Sequence, residues 1–176
     1  EPVFLNTRRT GVVGASWQEN GVVRDLEYDA PEPASDAPPF PASPSALVAN
    51  PPELLTALRD AYDTTDMESK RYALGCVQLR KDGALAATDG RQMLKQTGFQ
   101  SGFDQAVLIQ SSRFFTSKEL PAEPVLVGHI QDDKGVAKVG FQFGSWTYWI
   151  DSEREGRFPD VDGIIPSTNY CKSTLR

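Results

Sequence analysis

Histidine occurs once in the 176 residues, as His129. An imidazole acts as a general base only with a nucleophile or an orienting carboxylate within hydrogen-bond reach, and Asp132 is the nearest carboxylate in sequence. The competing reading, a half-buried strand histidine satisfied by a backbone group, is the commoner arrangement. Asp132-Asp133 and the set Asp60, Asp63 and Asp66 could offer oxygen ligands to a cation, but read more simply as a turn and as the wet side of a helix end. No nucleophile motif, phosphate loop or metal-spaced cluster appears. Two cysteines, Cys76 and Cys171, make neither a metal site nor a disulfide framework, and read as reduced thiols of a cytoplasmic protein. These residues predict a protein that is no enzyme and that carries no cofactor and no metal.

Binding is the alternative to chemistry, and two stretches could serve it. Thr88-Asp89-Gly90-Arg91 has the composition of a tight turn. Such a turn could also present Arg91, Gln92 and Met93 around an apolar groove for a partner's peptide, a role that suits the adaptable methionine side chain. Phe158-Pro159 and Ile164-Ile165-Pro166 form an apolar stretch beyond the last strand. Either the domain's own core or another molecule must cover it.

The elements that position these stretches follow from periodicity. Apolar residues nearly two apart from Tyr72 to Leu79 predict a strand. Asp82-Gly83 tolerates the positive φ of a hairpin, so Ala84 to Ala87 should return antiparallel, with a further turn at Thr88-Asp89-Gly90. The result is a three-strand meander. Before it, Asn50 ahead of Pro51-Pro52-Glu53 reads as a helix cap, and Leu54, Leu55, Leu58 and Tyr62 form one apolar stripe. After it come a strand at Ala106 to Gln110 and a second helix from Arg113 to Leu120, capped by Ser111-Ser112 and stopped by Pro121. Strands at Pro124 to Ile130, Val136 to Phe143 and Ser145 to Ile150 complete the set. The expected fold class is α+β, an antiparallel sheet covered on one face by two short helices.

Outside that body, Asn20-Gly21 between two β-rich runs predicts a β-hairpin within residues 1 to 30. From Pro31 to Pro44 six of fourteen residues are proline, which marks residues 31 to 45 as an extended linker. A domain at 46 to 168 and a tail at 169 to 176 follow. The length suits one core of the common ~100 to 150 residue size plus an appendage. No apolar run approaches the ~20 residues of a membrane helix, so no membrane partner is expected. The net charge of −6 argues against a surface that is wholly a nucleic-acid footprint, although a basic stripe fits inside an acidic total. The chain begins at Glu1 and its methionines are Met67 and Met93, which reads as a trimmed chain or a fragment.

Two motifs carry a resemblance. Ala87-Thr88-Asp89-Gly90, preceded by Arg71-Tyr72-x-Leu74, and Gly156-Arg157-Phe158-Pro159-Asp160, followed by Ile164-Ile165-Pro166, together resemble the bacterial sliding clamp, the beta subunit of DNA polymerase III. The match covers roughly Ala46 to Pro166 and is similar to the middle of that family's three domains. It implies a DNA-clamp-like domain that binds duplex DNA non-specifically through the backbone, docks DNA polymerase or other clamp-binding proteins, and self-associates or joins further clamp domains. Carried over, the peptide groove involves Thr88, Gly90, Arg91, Gln92, Met93, Pro159, Gly163 and Ile164. The DNA-facing side involves Arg59, Lys70, Arg71, Arg113 and Lys118. This chain departs from the family in having Arg91-Gln92-Met93 for the usual His-Arg-Leu and Asp162-Gly163 where basic residues are common. Five acidic residues accompany three basic ones between Glu53 and Arg71, so the stripe is thin. The alternative is a clamp-fold interaction module that never encircles DNA.

Overall fold

The computed structural model describes residues 2–30, 41, 44, 46–69, 73–144 and 146–164. The linker stretch 31–45 falls almost wholly outside the described residues, as do Tyr72, Ile165, Pro166, Cys171 and the tail at 169–176. The chain divides into two compact units, Glu1–Ala42 and Ser43–Arg176.

The first unit is a three-stranded antiparallel sheet, β1 (Phe4–Arg9), β2 (Val12–Glu19) and β3 (Val22–Asp29), in that order. Asn20 and Gly21 both adopt positive φ, 52° and 78°, which suits the right-handed twist of a two-residue hairpin turn between β2 and β3. β1 adds a strand to the ribbon expected from sequence. Within the sheet Arg8 reaches over β2 to Asp25 at 2.8 Å, and its side chain occupies the space that a Cβ on Gly14 would need.

The second unit is an eight-stranded, curled antiparallel sheet. Its strands are β4 (Val48–Asn50), β5 (Cys76–Leu79), β6 (Leu85–Thr88), β7 (Met93–Gln96), β8 (Val107–Gln110), β9 (Val125–Asp132), β10 (Gly135–Phe143) and β11 (Trp146–Glu153). They lie in the order β4-β9-β10-β11-β8-β5-β6-β7. The predicted meander is β5-β6-β7, with the first strand beginning at Cys76 after a turn at Ala73 to Gly75. Asp82 shapes the β5–β6 hairpin by accepting the Ala84 N–H, and Gly83 supplies a φ of +77°.

Helix α1 (Glu53–Thr64) packs Leu54, Leu55, Ala57, Leu58 and Ala61 against β5, β6 and β7, while Tyr62 is only half-buried. Asn50 does not cap it. The helix starts at prolines that have no N–H to satisfy, and Leu54 and Leu55 donate to the Pro51 and Pro52 carbonyls instead. The Asn50 side chain, almost wholly buried in β4, donates to the Val48 and Gln100 carbonyls and accepts the Gln100 N–H at 2.7 Å.

The second helix is also a correction. Residues 113 to 120 form one 3-10 turn, Arg113–Thr116, so a single α-helix covers the sheet. Ser112 begins the turn as expected, accepting the Phe114 N–H. Thr116 then bonds back to the Arg113 carbonyl and Ser117 captures the Glu119 N–H, so short polar side chains take the backbone groups that a continuing helix would use. The turn still contributes Phe115 to a core that includes Leu58, Leu85, Ile109, Val139 and Phe141.

Candidate functional site

The first motif is the β6–β7 turn. Thr88, buried at the end of β6, pairs in register with Met93 at the start of β7. Its Oγ1 donates to the Gln92 carbonyl at 2.6 Å and accepts the Gly90 N–H at 3.0 Å. Asp89 Oδ1 accepts the N–H groups of Gln92 and Arg91, each at 2.8 Å, and these bonds hold its carboxyl below the usual carboxylate range. Gly90 takes φ +87°, and the nearest atom to a Cβ there is Leu74 Cδ1 at 3.7 Å, so conformation rather than space calls for glycine. Arg91 and Gln92 are exposed and Met93 is half-buried.

The second motif follows β11. The Arg157 carbonyl accepts the Ala73 N–H, Val161 is buried as an anchor, and Asp160 accepts the Gly163 N–H to close a short turn. Pro159 is half-buried, whereas Gly163 and Ile164 are exposed. Asp162 fixes where this turn lies. One of its oxygens accepts from Lys95 Nζ at 2.7 Å and the other from Arg80 Nη1 at 2.6 Å. Lys95 and then Arg80 hold the Asp162 carboxyl below its usual range. The contact with Lys95 ties the 160–164 turn to β7, two residues beyond Met93.

Two clefts adjoin the second motif. One, of about 650 Å³, is lined by Met67, Cys76, Glu153 and Arg157 among others; the other, of about 350 Å³, by Gln78, Arg154 and Phe158 among others. Neither is lined by a residue of the 88–93 turn. Burial, and then the charge of Glu153, push the Cys76 thiol up to about 11.

The basic residues are scattered. Arg59 on α1 pairs with Asp60 at 3.2 Å, and with Lys118 it lines a cleft of about 290 Å³ that also contains Glu53. Arg113 is exposed at the head of the 3-10 turn. Lys70 and Arg71 lie outside the described residues.

His129 and Asp132 do not form a dyad. Three residues apart on β9, they point to opposite faces. The imidazole meets the Gln131 amide at 3.0 Å and lies 5.3 Å from the Phe103 ring, while Asp132 pairs with Arg154 at 2.8 Å. Among the described residues no group of three His, Cys, Asp or Glu side chains could hold a metal ion, and no helix is long and apolar enough to cross a membrane. Sequence reasoning passed over Lys95 and Arg80, because partners 67 and 82 residues away leave no local signal.

Among the described residues, a curled antiparallel sheet, one helix packed on it and a 3-10 turn beside that helix give a clamp-like fold. The solved structures it resembles are DNA polymerase III beta sliding clamps. The beta chain from Streptococcus pneumoniae matches with a TM-score of 0.61 at 19% identity, over 94% of this chain and 44% of that one. A putative beta subunit from Eubacterium rectale gives 0.65 at 13%, over 94% and 45%. The Helicobacter pylori beta clamp bound to a DNA ligase peptide gives 0.58 at 17%, over 94% and 46%. This chain therefore spans less than half the length of these clamps. No protein-family model and no curated protein matches it.

Proposed function

We propose that the chain is a non-catalytic, clamp-type recruitment factor. It docks partner peptides on the face formed by Thr88, Gly90, Arg91, Gln92, Met93, Pro159, Gly163 and Ile164, and it holds duplex DNA loosely through phosphates. The observation that supports this reading is the pair of ion pairs from Asp162, which tie the second motif to Arg80 and to Lys95, two residues beyond Met93 on β7. The clamp fold supports it, as does the peptide-bound state of the Helicobacter pylori relative. DNA contact falls to Arg59, Arg113 and Lys118, with Lys70 and Arg71 in reserve, and reads no base edges. Sheet edges β4 and β7 are the surfaces through which further clamp domains, or copies of this chain, extend the sheet.

Two measurements test the proposal. Met93→Asp and Ile164→Asp should each abolish binding of a DNA polymerase III clamp-binding peptide without unfolding the protein, since both side chains are half-buried or exposed. Retention on duplex DNA should fall steeply between 50 and 200 mM salt, and Arg113→Gln with Lys118→Gln should flatten that slope by about two phosphate contacts. Peptide docking with no DNA retention at low salt would point instead to an interaction module that never encircles DNA. Loss of neither binding activity in the variants would reject the assignment of the face.

A further inference from the structure

A second binding surface lies away from the 88–93 and 159–164 face and does not depend on it. The β10–β11 hairpin end and the segment after the 3-10 turn enclose a cleft of about 690 Å³, within the range of ligand-binding sites. Four aromatic rings line it: Phe114, Phe143, Trp146 and Tyr148. Phe114 lies nearly parallel to Tyr148, with centroids 3.9 Å apart, and stacks more loosely on Phe143 at 6.0 Å. Ser112 and the Tyr148 hydroxyl share a hydrogen bond of 2.8 Å, which holds that ring in place. Trp146 leaves 76% of its surface open to water. A rigid wall faced by so exposed an indole is built for contact rather than for the core.

Among the described residues the charges at this cleft have one sign: Glu119 and Glu123 line it, and no lysine or arginine does. Glu123 lies over the hairpin turn, its Oε1 at 3.2 Å from where a Cβ on Gly144 would sit. Aromatic faces and carboxylates both attract cations, and a planar guanidinium can stack on a ring while donating to a carboxylate. Phosphate would be repelled. The neighbouring cleft, which shares Ser117, Leu120 and Pro121 with this one, carries Arg59 and Lys118. The segment from 117 to 121 thus separates this acidic cleft from one that also carries two basic side chains.

We infer that the aromatic cleft binds an arginine-bearing peptide segment of a partner protein, its guanidinium stacked on Trp146 and paired with Glu119 or Glu123. The test titrates the full chain with the peptide acetyl-Gly-Ala-Arg-Ala-Gly-amide and follows the indole N–H signals by NMR. The Trp146 signal should move on saturation. Trp146→Ala, and the double variant Glu119→Gln with Glu123→Gln, should each weaken binding about tenfold. Glu68→Gln, an exposed acid elsewhere in this unit, should leave it unchanged. Equal binding of the citrulline peptide would overturn the inference, as would an equal effect of Glu68→Gln. Spermidine binding as tightly as the arginine peptide would also overturn it, by reducing the cleft to diffuse cation attraction.

Discussion

Asp162 meets Lys95 at 2.7 Å across 67 residues of chain, and its second oxygen takes Arg80 at 2.6 Å. These two ion pairs tie the segment after β11 to the β5–β7 meander.

Asp162→Asn should therefore loosen the 160–164 turn while leaving global stability nearly unchanged, because exposed ion pairs contribute little. Hydrogen exchange at the Gly163 and Ile164 amides should quicken. Acid should act in the same way. The folded carboxyl titrates below its unfolded value near pH 4, so its contribution is complete above that value and disappears as pH falls through the lower folded one. Amide shifts of residues 160 to 164 that stay constant down to pH 2 would contradict this.

Gly83 and Gly90 both require positive φ, yet they should differ sharply on substitution. A Cβ on Gly83 would lie 1.9 Å from the Phe99 carbonyl oxygen, against 3.7 Å to the nearest atom for Gly90. Gly90→Ala should cost about 1 to 2 kcal/mol, the left-handed penalty alone. Gly83→Ala must also displace backbone and should cost roughly 3 kcal/mol or more. Urea denaturation of the two variants gives the comparison.

Cys76 should be inert in the native protein. With its thiol held at about 11, alkylation by iodoacetamide at pH 8 should run on the order of a hundredfold slower than in urea. A Cys171→Ser background isolates the signal. The same shift makes the fold sensitive to base. The stabilising effect of the neutral thiol is complete below its unfolded value near 8.5 and is lost as pH rises toward 11.

Asn50→Ala should destabilise the second unit by about 1 to 3 kcal/mol, since it removes the three hydrogen bonds that this buried side chain makes to the backbone of Val48 and Gln100. Asn50→Asp keeps the acceptor for Gln100 N–H but sets a carboxylate against two carbonyl oxygens. It should be worse than alanine at pH 7 and recover partly in acid, as measured by thermal unfolding.

Local chemistry made the meander legible. Asp82-Gly83 and Thr88-Asp89-Gly90 specify their own turns, and the strand between them, β6, is four buried residues long. The clamp resemblance was legible for the same reason, since both its motifs are turn segments with distinctive residues. The second helix failed because Thr116 and Ser117 can bond the backbone as readily as a helix can, and composition does not say which prevails. Asn50 was misread because its local context suits a cap equally well, while its actual partner stands fifty residues away. The aromatic cleft sets Phe114 of the 3-10 turn against Phe143 and Tyr148, contacts that no spacing rule foretells.

The curled layer is fastened in two places by unlike means. Where β4 meets the loop at Gln100, a neutral amide does the fastening, and neither protons nor salt can compete with it. Where the 160–164 turn meets β7, the ion pair of Asp162 with Lys95 does so. Acid or brine should accordingly loosen the flank at β7 while the flank at β4 stays shut, making the 160–164 turn the first part of this unit to respond to its ionic surroundings.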